Sequence, residues 1–270
     1  TLAFVPERLD TALVRAHLSG HPWQALTTAV PSVDSTNNAC KRLAAEGAPD
    51  GTAILTGCQT AGRGRRGRTF VSPPGGLYFS VILRPHAKPE ALMHLTAMVA
   101  VAAARAVFAV SGVYPDIKWT NDLVLGGKKL CGILTEMTMK QDKIGCAVIG
   151  VGINVNMDSF PEEMADKATS LYLESGHPFD RAEVTGLVMK HFEENYEKFV
   201  ETEDLSGLKP DYEKLLANLN QPVRVLDQNN PYEGIARGIN PGGELLVERA
   251  DGTVEEVNSG EVSVRGLYSY

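Results

Sequence analysis

The sequence is short of positive charge. It carries 26 Lys and Arg against 33 Asp and Glu, a formal net charge of −7. A general nucleic-acid binder presents a basic face, so that class is excluded for the surface as a whole. A secretory signal and a transmembrane span are also missing. The most apolar long run, Leu95 to Val110, is rich in alanine, too short to cross a bilayer comfortably, and contains Arg105. The four cysteines, Cys40, Cys58, Cys131 and Cys146, form no CxxC pair and no His/Cys metal spacing. In a chain this large they read as reduced, small residues of a cytoplasmic protein rather than disulfides or zinc ligands. There is no internal repeat and no low-complexity tract. A Walker loop is absent too, since no Gly-Lys-Ser/Thr follows a four-residue spacer.

What is present is a packed fold. Hydrophobic residues make up 43% and charged residues 22% of 270, enough for one large domain and one small. Apolar spacing predicts helices over Pro6 to Leu18, from the Asp34-Ser35-Thr36 cap through Ala39 and Leu43 to Gly47, over Pro89 to Val110, Ala182 to Val200 and Asp211 to Leu219. His191 reads as a residue of the fourth of these, not as a catalyst. Strands are expected at Thr52 to Gln59, Leu77 to Leu83, Leu130 to Met139 and Ile144 to Val155. Asp116 to Leu125 reads as extended, and 157–180 as loop and short turns. From about Asn220 five short β-rich runs alternate with turn clusters, which predicts a small SH3-type barrel. The expected division is 1–219 and 220–270, with no long linker and the two parts in contact.

The stretch that stands out is Gly62-Arg63-Gly64-Arg65-Arg66-Gly67-Arg68, four arginines in six positions with glycines between them. Glycine lets a backbone approach a ligand closely. Arginine offers a planar fork of donors to carboxylate and phosphate. As a string it contains Gly-x-Gly-x-x-Gly, but a dinucleotide fold needs a helix straight after the glycines, and Thr69-Phe70-Val71-Ser72-Pro73-Pro74 cannot supply one. The remaining reading is a loop whose arginines neutralise a phosphate-bearing ligand. Lys118-Trp119-Thr120-Asn121-Asp122, and Lys129 after the Gly126-Gly127 turn, are the segments suited to complete such a site.

Four segments together resemble the signatures of bacterial biotin protein ligases, in that family's order. They are Gln59 to Arg68, Lys118 to Asp122, Lys128 to Glu136 and Gly150 to Asn156, and Ser35-Thr36-Asn37 is similar to the family's biotin-contacting helix start. The resemblance spans roughly 30–265. It implies an α+β fold, a mixed sheet flanked by helices related to class II aminoacyl-tRNA synthetases, followed by the SH3-like domain. It implies that biotin and ATP are substrates, with Mg²⁺, and that biotinyl-5′-AMP forms before the biotinyl group passes to a lysine of a biotin carboxyl carrier protein. The substrate carboxylate is then the nucleophile, and no Ser, Cys or His triad is found. Likeness to the family puts Arg63, Arg65 and Lys129 in catalysis. It puts Ser35, Thr36, Asn37, Gln59, Gly62, Gly64 and Gly132, with those three, on biotin. Arg65, Arg68, Phe70, Asn121, Lys129 and Asn154 fall to ATP, and no metal ligands are assigned.

Two departures are visible: many relatives carry proline at Thr120 and tryptophan at Phe70. Phe70 has two readings, an aromatic face for adenine or a core residue, and Trp119 is equally core or pocket wall. The chain ahead of Val33 is too short for the family's winged helix-turn-helix, so a ligase without repressor activity is expected. No nucleic-acid or membrane partner is expected, and a homodimer is open. Rival readings are a lipoate or octanoate ligase, an Arg/Gly nucleic-acid clamp and an inactive ligand sensor.

Overall fold

The computed structural model describes residues 9–85, 91–140, 143–226, 231–258 and 263–266. The expected helix starts at Pro6 and Pro89, the Gln141–Asp142 turn and most of the Asp227–Pro231 turn lie outside them. In order, the first part of the chain forms α1 (Thr11–His17), β1 (Thr27–Val30), α2 (Thr36–Ala45), β2 (Ala53–Thr56), β3 (Leu77–Leu83), α3 (Ala91–Ser111), β4 (Asp116–Lys118), β5 (Asp122–Leu125), β6 (Lys128–Lys140) and β7 (Lys143–Ile153). It continues with α4 (Glu162–Ala165), α5 (Leu171–Ser175), α6 (Arg181–Thr202) and α7 (Lys209–Leu215). The strands build one seven-stranded mixed sheet in the order β1-β2-β3-β7-β6-β5-β4. Only β1 and β2 run parallel; every other neighbouring pair is antiparallel.

The sheet has two different faces, and the two-residue period of a strand separates them. On β3, Leu77, Phe79, Val81 and Leu83 enter the main core, together with Ile133, Ile149 and Val151 of β6 and β7. That face is covered by α3 and, behind it, α6. The alternate residue Ile82 joins Cys40 of α2, Cys146 and Val148 in a smaller core on the opposite face. Desolvation there pushes the Cys40 thiol up to about 12, so it behaves as a small apolar residue. The four cysteines are all free, with only Cys58 partly exposed.

Two segments depart from expectation. Asp116 to Leu125 is not one extended run: Lys118 pairs with Asp122, and Trp119 to Asn121 form the connection of a tight hairpin. Asn121 fixes that reversal by donating its Nδ2 to the Ile133 carbonyl at 3.0 Å. The apolar helix α3 reaches 21 residues, long enough by length to cross a bilayer. In keeping with the sequence reading it lies in the core, and its Arg105 pairs with Asp211 of α7 at 2.6 Å. The edge strand β1 was not expected, because its four residues show no burial alternation.

The remaining strands are β8 (Pro222–Leu226), β9 (Tyr232–Ile239), β10 (Leu245–Glu248), β11 (Val254–Val257) and β12 (Ser263–Gly266), five short strands beyond Asn220 as expected. They form an antiparallel sheet ordered β11-β10-β9-β8-β12, SH3-like, whose two end strands are not paired with each other among the described residues. Val223, Val225, Ala236, Ile239, Leu245 and Val247 belong to the same continuous core as the larger sheet. Three polar contacts fasten the junction. The Trp119 Nε1–H donates to the Gly243 carbonyl at 3.1 Å, the Ile239 N–H to Glu213 Oε1 at 2.9 Å, and the Leu205 N–H to the Pro241 carbonyl at 2.9 Å. Trp119 is thus a buried junction residue and does not line the pocket described below. Trp119→Phe keeps the ring bulk but strands a buried carbonyl. It should destabilise the protein by about 1–3 kcal/mol in urea denaturation; an unchanged midpoint would remove that bond from the junction.

Candidate active site

Where β6 and β7 pass beyond α2, their outward face carries glycine. Gly132 stands directly opposite Gly152 across the two strands, and Gly150 opposite Leu134. A Cβ on Gly132 or Gly152 would lie 2.7 or 2.6 Å from the Phe70 ring, and one on Gly150 would lie 2.0 Å from Asn37 Oδ1. The sheet therefore forms a bare floor. In this structure Phe70 lies on it, leaving a cavity of about 50 Å³, far below the roughly 300–1,000 Å³ of a small-molecule site. A ligand that uses this floor has to displace the ring.

One wall is the start of α2. Ser35 takes the N-cap position, but its side chain makes no cap bond and faces the pocket, 2% exposed. The Thr36 N–H donates to Gln59 Oε1 at 2.8 Å, and Gln59 Nε2 donates to Ser72 Oγ at 2.9 Å. Ser80 Oγ lies 2.7 Å from Thr36 Oγ1 and 2.6 Å from Asn37 Oδ1, tying α2 to β3. This is a compact set of donors and acceptors suited to a polar, uncharged ring. Ahead of it Asp34 accepts both Arg42 guanidinium nitrogens, at 2.9 and 3.0 Å. That bidentate pair holds the Asp34 carboxyl well below the usual carboxylate range.

The opposite wall is cationic. Lys129 Nζ sits 2.7 Å from Asp122 Oδ1 and 5.5 Å from the Phe70 ring centroid. A β-bulge puts it there. Leu123 pairs with Cys131, but Val124 pairs with Lys129, so Leu130 is an extra residue. In a regular strand of the same residues, with no bulge, Lys129 would share the parity of Cys131 and Ile133 and point into the core. The Lys129 backbone is gripped on its other side, its N–H donating to the Lys167 carbonyl and its carbonyl accepting from Thr169.

The arginine loop closes the top. Arg63 reaches Asn38 and Glu136, at 2.9 and 3.1 Å. Arg65 Nη1 donates to Asn121 Oδ1 at 3.0 Å and to Thr120 Oγ1 at 3.3 Å. Burial first, and the neighbouring Arg66 charge second, lower the pKa of Arg65, so that cation is costly to keep here and well placed to receive an anion. The loop's own geometry is a short turn in which Arg66 takes φ 55°; the Gly64 N–H donates to the Arg68 carbonyl at 2.7 Å and the Arg68 N–H to the Arg65 carbonyl at 3.2 Å.

Ser35, Thr36, Asn37, Gln59, Arg63, Gly64, Arg65, Phe70, Asn121, Lys129 and Gly132 are thus gathered around one cavity. Three residues named with them are not. Gly62 is buried beneath the loop, where a Cβ would meet the Phe70 carbonyl at 2.3 Å. Arg68 is exposed on the loop's outer side. Asn154 is buried behind the wall; its Nδ2 donates to the carbonyls of Lys129 and Thr169, at 3.2 and 2.9 Å, bracing the segment that holds Lys129. Ser80, Asp122 and Glu136 were missed as site residues. Ser80 had a signal, the one polar residue inside the apolar run Leu77 to Leu83. Among the described residues no group of three or more His, Cys, Asp or Glu could hold a metal. The nearest carboxylates, Asp122 and Glu136, are already engaged by cations.

Comparison with known proteins places this geometry. The Biotin/lipoate A/B protein ligase family model matches residues 29–154, and the Biotin protein ligase C terminal domain model matches 219–265. The chain is 37% identical to the bifunctional ligase/repressor BirA of Bacillus spizizenii over 235 residues, covering 86% of this chain and 72% of that protein. It is 31% identical to the biotin--[acetyl-CoA-carboxylase] ligase of Mycobacterium tuberculosis, covering 94% and 95%. Among solved structures, the biotin protein ligase of Aquifex aeolicus in complex with biotin and ATP is similar at TM-score 0.79 and 34% identity, over 89% of this chain and 98% of that one. The glycine-floored pocket, its cationic wall and the arginine loop all fall within the first matched region, and the chain belongs to the biotin protein ligase family.

Proposed function

We propose that this pocket activates biotin with ATP and passes the biotinyl group to a lysine of a biotin carboxyl carrier protein. The observation that carries the proposal is the convergence of Lys129, Arg63 and Arg65 on a floor of three glycines, beside a wall of uncharged hydrogen-bonding groups. In the first step a carboxylate oxygen of biotin attacks the α-phosphorus of ATP. Biotinyl-5′-AMP forms and pyrophosphate leaves. Two anions have to meet, and fixed cations lower that barrier without reorganising. Lys129 is the bridging group between carboxylate and α-phosphate, with Arg63 and Arg65 on the oxygens of the nascent adenylate. In the second step the amine of the carrier lysine attacks the acyl carbon, and AMP leaves.

Thr36, Gln59, Ser35, Asn37 and Ser80 are the groups suited to the ureido ring. Phe70, once displaced from the floor, has an aromatic face for the adenine. Mg²⁺ screens the triphosphate charge and arrives with it; no protein ligands are assigned to it. Residues 1–219 hold this chemistry. Residues 220–270 add the second sheet, which supports Trp119 and so the hairpin connection that carries Asn121.

The deciding experiment is ATP–pyrophosphate exchange with biotin, lipoate or octanoate offered separately. Exchange with biotin alone is expected; exchange with lipoate or octanoate instead would move the specificity. Lys129→Ala should slow adenylation by about 10²–10³, with the fold intact by circular dichroism, and near-normal exchange would take Lys129 out of the mechanism. Arg65→Gly should weaken retention of the adenylate, read as biotin appearing on bystander lysines. An unchanged rate of adenylate release would show that Arg65 does not hold it.

A further inference from the structure

Glu136 lies on β6, four residues beyond Gly132 and on the same face of the strand, at the edge of the pocket. Its side chain is 19% exposed. Three donors converge on it from two directions. From α2 come Lys41 Nζ, 2.5 Å from Oε1, and Asn37 Nδ2, 2.9 Å from Oε2. These two residues are one helical turn apart and so present one face to the carboxylate. From the arginine loop comes Arg63 Nη2, 3.1 Å from Oε1. The same guanidinium donates Nη1 to Asn38 of α2 at 2.9 Å. Burial disfavours an ionised Glu136, but the Lys41 and Asn37 hydrogen bonds and the Lys41 and Arg63 charges outweigh it, and its carboxyl stays below the ordinary glutamate range.

The arrangement is asymmetric. Lys41, Asn37 and Glu136 belong to packed elements, whereas Arg63 belongs to a loop. Lys41 and Arg63 also share one oxygen, so they compete for the same negative charge. We propose that Glu136 is a positioning residue that parks Arg63 when no substrate is bound. Its carboxylate occupies the guanidinium until a substrate anion takes it over. This rests on reading Arg63 as a substrate contact. Lys41 has the opposite influence: it partly neutralises Glu136 and keeps the hold on Arg63 weak enough to exchange.

The loop reports on itself, because trypsin cleaves after Arg63, Arg65, Arg66 and Arg68. When opening is fast, the initial cleavage rate follows the open population. For ligand-free Glu136→Gln, loop cleavage followed by mass spectrometry should be about two- to fivefold faster than wild type, the size expected of a partly exposed ion pair. Lys41→Gln should be cleaved more slowly than wild type, since Glu136 is then free for Arg63. With biotin and ATP both variants should converge on the wild-type rate. Faster cleavage in both variants would make the cluster a plain structural brace and overturn the proposal, as would an unchanged rate in Glu136→Gln. If Glu136→Gln fails to fold by circular dichroism, the sign of the Lys41→Gln effect decides. The ligand-free comparison does not depend on the identity of the substrate. Biotin-dependent pyrophosphate exchange by the wild type tests that identity separately.

Discussion

The pocket exists because three positions on two neighbouring strands carry no side chain. Gly132, Gly150 and Gly152 leave the sheet bare on one face, while the same strands are fully packed on the other by Ile133, Ile149 and Val151. A strand interior loses packing and conformational entropy at each glycine. Here the loss is offset by the unbroken core on the reverse side and by long pairing between β6 and β7. Phe70 covers the bare surface in this structure, so the apolar floor is kept from water.

Around that floor a chain of net charge −7 concentrates cations, and it compensates them in place. Lys129 rests on Asp122, Arg63 on Glu136, and Arg65 on the oxygens of Asn121 and Thr120. Partly buried charges without partners would be expensive. Internal acceptors remove most of that cost and leave the cations where an anionic substrate can exchange for them. Substrate binding is then a swap of partners, and only the difference between the two sets of contacts appears as affinity.

Much of this was legible in the residues. The strand Leu77–Leu83 and the short strands of the small sheet follow from β-branched and apolar runs between turn residues, which act locally. The arginine loop announced itself by composition, and the segment containing Lys129 by its place after a glycine turn. What stayed hidden depends on distant pairing. Nothing local to Glu136 marks it as the partner of Lys41 and Arg63, which lie 95 and 73 positions earlier in the chain. Asp122 was read as part of a motif, but its bond to Lys129 needs the hairpin β5–β6. Asn154 is expected as a nucleotide contact, whereas its amide nitrogen donates to two backbone carbonyls behind the wall. The edge strand β1 is held by a parallel partner 26 residues away, a relation that short-range patterns do not carry.

The extra residue at Leu130 has a consequence for how this site tolerates change. Side-chain direction in a strand is a parity, and the bulge is the single point where β6 changes parity between Cys131 and Lys129. Gly132, Leu134 and Glu136 are counted from one side of it and Lys129 from the other. Straightening the bulge, with every residue retained, would turn the lysine toward the hydrophobic interior while the floor stayed where it is. The kink in the backbone is therefore itself a part of the site, as much as the side chains it directs.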